Sequence, residues 1–244
     1  MMYSAKFRTA FTTPDATPRT LVEGTYLQVR RDIIEGRLAP GEKLRVEHLK
    51  DRYGIGAGTL REALALLLSD VLVVAEGQRG FHVAPISLQD LEDITHTRVL
   101  LETNALRQSI RNGDVEWEAA LVAAFHKLSN SEERLEEKPD KNSNVREWEQ
   151  RNRSFHEALI AACDSPWQRY LIGLLYRQSE RYRHLAITGN AMPRDVHAEH
   201  ASIIDAALKR DAERASRALE QHIRLTFDSI LLLTPTLAAP KKSA

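Results

Sequence analysis

The chain has 244 residues, of which 43% are apolar and 28% charged, and its formal net charge at pH 7 is zero. This length and apolar content suit one large packed domain, or a small domain followed by a medium one. The neutral charge argues weakly against a general polyanion binder, although a local basic patch can still bind DNA.

Three features bear on the compartment. The sequence has no apolar run long enough to cross a membrane, and residues 1–20 lack the continuous apolar segment of a secretory signal. Cys163 is the single cysteine, so an intrachain disulfide is excluded, in agreement with a reducing compartment. We expect a cytoplasmic protein that does not enter membranes, with disordered tails at residues 1–17 and 233–244.

The first 86 residues are predicted to form three helices followed by a β-hairpin. Apolar side chains at helical spacing predict a helix over residues 20–37. Two short helices follow at residues 46–54 and 59–69, joined by a glycine-rich turn. Residues 71–86 contain a β-branched run, a glycine turn and an alternating segment, which predict the hairpin. Residues 18–86 therefore form a predicted winged helix-turn-helix.

The remainder of the chain has a purely helical pattern. Turn and capping residues divide it into six stretches. These helices are predicted near residues 88–111, 114–137, 145–163, 166–187, 193–209 and 211–232. We expect one all-α bundle over residues 87–232, so the predicted fold class is mainly α, with a winged helix-turn-helix followed by a six-helix bundle.

The sequence YGIGAGTLREAL (53–64) suggests how the first unit binds DNA. The helix after such a turn usually lies in the major groove, and glycines beside its N-terminus let free N–H groups approach a phosphate. The predicted DNA contacts are Arg45, Gly56, Gly58, Thr59 and Arg61, with Arg79 and His82 on the wing. The alternative is a small helical domain in which Arg61 is a solvated charge and the glycines only form a turn.

The helical half carries histidines on predicted inward faces. Asn152 and His156 are four residues apart and share a helix face, while His200 and His222 lie in two later helices. Imidazoles that converge from several helices can bind Zn²⁺ or Ni²⁺. The alternative is that each is an ordinary core residue. Other histidines show that this residue type alone is not selective: His96, His126, His184 and His197.

Arg98 is a candidate for recognising an anion. A guanidinium that faces a cavity in the bundle could bind a carboxylate through two hydrogen bonds. The alternative is a surface ion pair with Glu102, four residues further along the helix. Asn152 and Tyr182 complete the predicted effector-binding set.

Residues 20–85 resemble the DNA-binding domain of the GntR family of bacterial transcription regulators. The resemblance rests on LREAL (60–64), on the hairpin pattern and on APGEKL (39–44). Relatives usually have Ser-Arg-Thr where this chain has Gly-Ala-Gly (56–58), so an arginine that commonly reads a base is absent. The resemblance implies a homodimer that binds double-stranded operator DNA, with Arg45 and Arg61 contributing more of the contact.

Residues 88–232 resemble the FCD domain of the FadR-type branch of that family. The segment RVLLE (98–102) matches its R-x-x-L-E opening, and three further positions match its metal-binding histidines. The resemblance implies a metal site at Asn152, His156, His200 and His222. An aspartate usually stands where this chain has Asn152. Three outcomes stay open: weaker metal binding, a metal held mainly by the histidines, or a metal-free polar pocket.

The sequence therefore predicts a ligand-responsive transcription regulator, a repressor and not an enzyme. Its bundle is expected to bind a small organic acid, and RYR (181–183) together with the glycine variant resembles repressors of short-dicarboxylate catabolism. The alternative is a helical histidine-ligated metalloenzyme with an appended nucleic-acid-binding domain. A purely architectural DNA-binding protein would leave the polar interior of the bundle without a purpose.

Overall fold

The computed structural model describes residues 18–77, 80–135, 141–188 and 194–232. The N-terminal unit contains α1 (Leu21–Ile34), β1 (Lys43–Leu44), α2 (Val46–Tyr53), α3 (Ala57–Ser69), β2 (Val73–Ala75) and β3 (Phe81–Val83). The bundle contains α4 (Leu88–Asn112), α5 (Val115–Glu133), α6 (Lys141–Leu159), α7 (Pro166–Thr188), α8 (Val196–Leu208) and α9 (Ala212–Leu231). The predicted tails and Arg79 lie outside the described residues.

The helix-turn-helix forms where the sequence predicts it. Helix α2 ends at Gly54, which has a φ of 64° and thus the left-handed conformation that glycine adopts without strain. Helix α3 begins at Ala57, two residues earlier than predicted, because Gly56 already serves as its N-cap. Leu60, Leu64 and Leu67 of α3 are fully buried against α1 and the sheet. This burial turns the opposite face of α3 toward solvent.

The wing is a three-stranded sheet with the order β1-β3-β2, whereas the sequence predicts only two strands. Strand β1 was missed because it has two residues, too few for a recognisable alternation. The prediction that the first hairpin strand starts at Val71 is wrong. Val71 has a φ of 57° and belongs to the turn that leaves α3, so β2 starts at Val73.

The fold class is confirmed as mainly α, with six bundle helices within the described ranges. Side chains that accept a backbone N–H begin several of them, including Ser87 at α4, Asp114 at α5 and Asp211 at α9. Helix α6 begins at Lys141 rather than at residue 145, so residues 142–144, which the sequence prediction leaves between two helices, are helical. None of the described helices has the length and hydropathy needed to cross a membrane.

Buried apolar side chains of α4, α5, α6, α8 and α9 form the main core of the bundle. Phe155 and Leu159 of α6 are fully buried at its centre, with Ile203 of α8 and Leu219 of α9 beside them. Helix α7 packs against α4 and also reaches α1 of the N-terminal unit. Helix α7 therefore contacts both the rest of the bundle and the N-terminal unit.

Gly113 gives a direct test of the packing between α4 and α5. A Cβ atom at this position would lie 2.4 Å from Cε3 of Trp117 and 2.7 Å from the carbonyl oxygen of Ser109. The Trp117 ring cannot retreat easily, because its Nε1 donates a hydrogen bond to the Ala158 carbonyl at 2.9 Å. We expect Gly113→Ala to lower the free energy of unfolding by about 1–3 kcal/mol, measured by denaturant titration with circular dichroism.

Gly58→Ala is the matched control for this substitution. Its added Cβ meets no atom within 4 Å, and alanine is the better helix former. We expect it to be neutral or slightly stabilising. Equal losses of stability in the two variants would contradict the packing described for Gly113.

Candidate functional site

The N-terminus of α3 is open to an external partner. Gly56 has an ordinary extended backbone (φ −72°, ψ 149°) and no side chain caps the first turn, so its N–H groups have no capping acceptor. A Cβ at Gly56 or Gly58 would meet nothing within 4 Å. The fold therefore requires neither glycine, and their small size leaves room for a phosphate backbone.

The remaining predicted DNA contacts differ in how exposed they are. Arg61 is exposed one turn into α3, Thr59 is partly buried, and Arg45 is exposed at the N-cap of α2. His82 lies in the central strand, where its backbone pairs with Lys43 on one side and with β2 on the other. It is therefore not at the tip of the wing.

Three histidines meet inside the bundle. His156 of α6, His200 of α8 and His222 of α9 are all buried, and each offers a nitrogen within 4.8 Å of the other two. The ring centroids are separated by 4.6 Å for His200 and His222, 5.3 Å for His156 and His222, and 5.8 Å for His156 and His200. Zn²⁺ in proteins is usually bound by four ligands, and this triad could supply three of them as histidine nitrogens.

Each imidazole of the triad faces a glutamate through its Nδ1 atom. The distance is 2.8 Å from His200 to Glu132 and 2.8 Å from His222 to Glu199. His156 Nδ1 lies 3.7 Å from Glu102 Oε2, which is longer than a hydrogen bond. A carboxylate at Nδ1 fixes the tautomer and leaves Nε2 free to bind a metal.

Burial keeps these imidazoles uncharged. It lowers the pKa of His156 to about 4, even though Glu102 acts in the opposite direction. Burial likewise lowers the pKa of His200 against the effect of Glu132, and it lowers that of His222 further with the help of the other two rings. Neutral imidazoles are the form that coordinates metals, so no proton must be displaced first.

Two polar atoms beside the triad lack partners within the described part of the chain. His200 Nε2 and Asn152 Oδ1 are buried and make no hydrogen bond there. The Asn152 amide is held by its other atom, since Nδ2 donates to the Tyr176 hydroxyl at 2.8 Å. A buried lone pair without a donor is costly, and a bound cation would satisfy both atoms. The residues present therefore fit a divalent metal.

The structure gives the surroundings of two predicted effector ligands, Arg98 and Tyr182. The Arg98–Glu102 pair exists, with Nε 2.6 Å from Oε1, but it is buried and not a surface ion pair. Arg98 also donates to Ser179 Oγ at 3.1 Å. Tyr182 does not join the triad, because its hydroxyl bonds the backbone of Ser87 and the carboxylate of Asp90 at the start of α4.

Sequence reasoning missed several residues around a small cavity beside the triad. Its lining includes Trp148, Asn152, Arg183, Arg194, His222 and Thr226. Trp148 Nε1 and Arg194 Nε are buried donors that, among the described residues, make no hydrogen bond. Neither shows a periodic signal, since Trp148 looks like a core residue and Arg194 lies in a turn. Glu199 is next to His200 in the sequence, but its carboxylate contacts His222 and not His200.

A larger cavity lies elsewhere. It has a volume of about 360 Å³ and separates α1 from α6 and α7 at the junction of the two units. Its buried charges already neutralise one another, as Glu180 contacts both Arg30 and Arg153. The cavity at the triad measures only about 20 Å³. We assign the functional site to the triad because three buried nitrogen ligands converge there.

Fold and site together define a winged-helix DNA-binding protein with a helical ligand-binding bundle. Residues 21–83 match the pattern of the bacterial regulatory proteins of the gntR family, and residues 93–225 match the FCD domain. The chain therefore belongs to the GntR family of bacterial transcription regulators, in the branch that carries an FCD domain.

Curated relatives agree with this assignment. The chain is 50% identical to the HTH-type transcriptional regulator BphR of Paraburkholderia xenovorans LB400, over 92% of this chain and 91% of the relative. It is 36% identical to the HTH-type transcriptional repressor GlaR of Escherichia coli K12, over 81% and 90% of the two chains.

Solved structures show the same fold. Escherichia coli McbR/YncC superimposes with a TM-score of 0.70 at 19% identity, covering 88% of this chain and 98% of that one. A GntR regulator from Rhodococcus sp. RHA1 gives a TM-score of 0.67 at 20% identity, covering 86% and 97%. At these identities the likeness shows the fold alone.

Asn152→Asp tests whether the amide oxygen faces a cation. A carboxylate adds a negative charge to the donor set, so we expect the Zn²⁺ affinity to rise by at least about tenfold, or 1.4 kcal/mol. Competition with a chromophoric chelator measures it. Asn104→Asp is the matched control, because it adds the same charge on an exposed part of α4. Equal affinities in the two variants would place residue 152 outside the coordination sphere.

Proposed function

We propose that the bundle senses a small organic acid at the histidine triad, with a divalent cation, Zn²⁺ or Ni²⁺, held by His156, His200, His222 and Asn152. The observation that carries the proposal is the convergence of three buried imidazoles, in which His200 Nε2 has no hydrogen bond and the nearby Asn152 Oδ1 has none either. The cation would supply a Lewis acid that attracts a carboxylate.

The cavity beside the triad favours a ligand rich in acceptors. Trp148 Nε1 and Arg194 Nε are buried donors that lack an acceptor among the described residues. The guanidinium of Arg183 also lines this cavity, but Glu149 and Ser179 already accept its hydrogen bonds. A carboxylate would satisfy the two unpartnered donors of Trp148 and Arg194. A second carboxylate on the ligand could then reach the cation, which makes a short dicarboxylate the preferred effector class.

The other half of the function is operator binding by α3. We assign the phosphate contact to the N–H groups at residues 56–58 and base or phosphate contacts to Arg61 and Arg45. Thr59, His82 and Arg79 of the wing complete the proposed interface, although Arg79 lies outside the described residues. Two such units in a homodimer would read a pseudo-palindromic site.

The family favours a cytoplasmic repressor over a metalloenzyme. Its relative GlaR is described as a transcriptional repressor, and BphR as a transcriptional regulator. Salt distinguishes the two classes. A regulator that neutralises several phosphates loses operator affinity steeply between low and physiological salt, whereas an enzyme with this bundle has no specific operator to lose.

Arg61→Ala tests the reading face of α3. We expect a loss of about 1–3 kcal/mol in operator binding if the guanidinium contacts a base. Fluorescence anisotropy measures it with a duplex selected from a random library. Arg111→Ala, which removes an exposed arginine from α4, is the control and should leave the affinity unchanged. An operator affinity that survives Arg61→Ala would remove this residue from the interface.

His200→Ala tests the sensing half. The substitution removes a central donor of the triad, so we expect the metal and any co-purified acid to disappear while operator binding persists. Native mass spectrometry with elemental analysis reports the metal, the acid and the oligomeric state together. His126→Ala, on an exposed part of α5, is the matched control. An unchanged metal content in His200→Ala would make the triad a structural cluster.

A further inference from the structure

Helix α7 lies between the histidine site and the DNA-binding unit. Residues 176, 179 and 183 follow the helical repeat and face the site. Residues 177, 178 and 181 face the N-terminal unit, and Glu180 lies between the two faces, in contact with Arg30 of α1 and Arg153 of α6. Because both sets belong to one helix, a rigid displacement of α7 changes their contacts together.

The site face of α7 is tied to the proposed ligands by several polar contacts. The Tyr176 hydroxyl accepts the hydrogen bond of Asn152, and the Tyr176 ring lies 5.7 Å from the ring of His156. The guanidiniums of Arg98 and Arg183 lie 5.3 Å and 4.2 Å from its centroid. Ser179 Oγ accepts from the same two arginines, at 3.1 Å and 2.7 Å.

The opposite face of α7 holds the end of the DNA-reading helix. Asp70 is the C-cap of α3. Its carboxylate contacts Arg177 at 3.0 Å and accepts a hydrogen bond from the Tyr26 hydroxyl of α1. Its carbonyl oxygen accepts a hydrogen bond from Gln178. The C-terminus of α3 is thus fixed to α7 through both the side chain and the backbone of one residue.

Two further contacts join α7 to the rest of the DNA-binding unit. Glu180 is buried between Arg30 of α1 and Arg153 of α6. Burial alone would raise the pKa of Glu180, but the two arginines outweigh it and lower the pKa, so this carboxylate stays ionised. Arg181 Nη2 donates to the carbonyl of Ala84, directly after β3, at 2.6 Å. Helix α7 therefore contacts α1, α3 and the exit of the wing.

The cavity beside the triad is too small to admit an organic acid in the arrangement described. The cavity beside the triad has about 20 Å³, enough for a water molecule but far below the roughly 300 Å³ at which ligand pockets begin. Three of its lining residues belong to α7, namely Arg183, Ala186 and Ile187. The cavity of about 360 Å³ at the domain junction lies against the same helix and gives it room to shift.

We propose that α7 couples the sensing site to DNA binding, with Asp70 as the residue through which a shift of α7 repositions the recognition helix α3. A ligand changes an equilibrium only through contacts that differ between two states. The contacts that would differ between the two positions of α7 are those of Tyr176, Ser179 and Arg183 with the histidine site, and those of Arg177 and Gln178 with Asp70. The coupling itself rests on the geometry of α7, and only its trigger rests on the proposed function.

A double-mutant cycle tests the coupling without any ligand. Tyr176→Phe removes the hydroxyl on the site face, and Tyr26→Phe removes the hydroxyl that holds Asp70. We expect the operator Kd of the double variant to differ from the product of the two single effects by at least about threefold. Tyr53→Phe is the matched control, because its hydroxyl bonds Asp32 at 2.7 Å, away from α7. A multiplicative result for Tyr176 with Tyr26 overturns the proposal.

A second measurement uses Zn²⁺ alone as the probe. In the wild type we expect saturating Zn²⁺ to change the operator Kd by at least about threefold, and Tyr26→Phe to reduce this ratio toward one while Tyr53→Phe preserves it. Bound Zn²⁺ that leaves the operator Kd unchanged overturns the proposal, as does a ratio that Tyr26→Phe leaves intact. If Zn²⁺ does not bind, the metal part of the proposed function fails, and the ligand-free cycle still decides the role of α7.

Discussion

The constraint on which this molecule depends is the burial of three neutral imidazoles in one bundle. Burial lowers the pKa of all three histidines, and hydrogen bonds to Glu132 and Glu199 set the orientation of the His200 and His222 rings. A packed apolar core would be simpler to stabilise, because buried polar groups are costly unless every partner is present. Helices α6, α8 and α9 are therefore placed by a polar cluster as well as by apolar packing.

At the junction of the two units, a single helix takes part in two sets of polar contacts. Helix α7 closes one wall of the polar site and also carries the contacts to α1, α3 and the wing. Its residues alternate between these tasks within two turns, since Tyr176 and Arg177 are neighbours that face different halves of the protein. Helix α7 also buries Ile172, Tyr182 and Ala186 in apolar clusters, and close packing of this kind favours discrete positions over gradual deformation.

The sequence predicts much of this fold because local signals agree with one another. Glycine at the end of α2, aspartates and serine at helix starts, and a 3.6-residue apolar period define most elements. Prediction from sequence fails where an element depends on residues that are distant along the chain. Strand β1 exists because β3 lies beside it, and Val71 looks like a strand residue although it forms a turn. The histidines were predictable from type and resemblance, whereas Trp148, Arg194 and Glu132 could be found only after folding placed them there.

The small volume beside the triad has a thermodynamic consequence for the threshold of response. If the closed arrangement predominates in the absence of ligand, the observed dissociation constant equals the intrinsic one divided by the open fraction. Changes in the packing of α7 would then shift the ligand concentration needed for a response, even where no group that contacts the ligand is altered. Sensitivity and selectivity are thus set by different residues and can be adjusted independently.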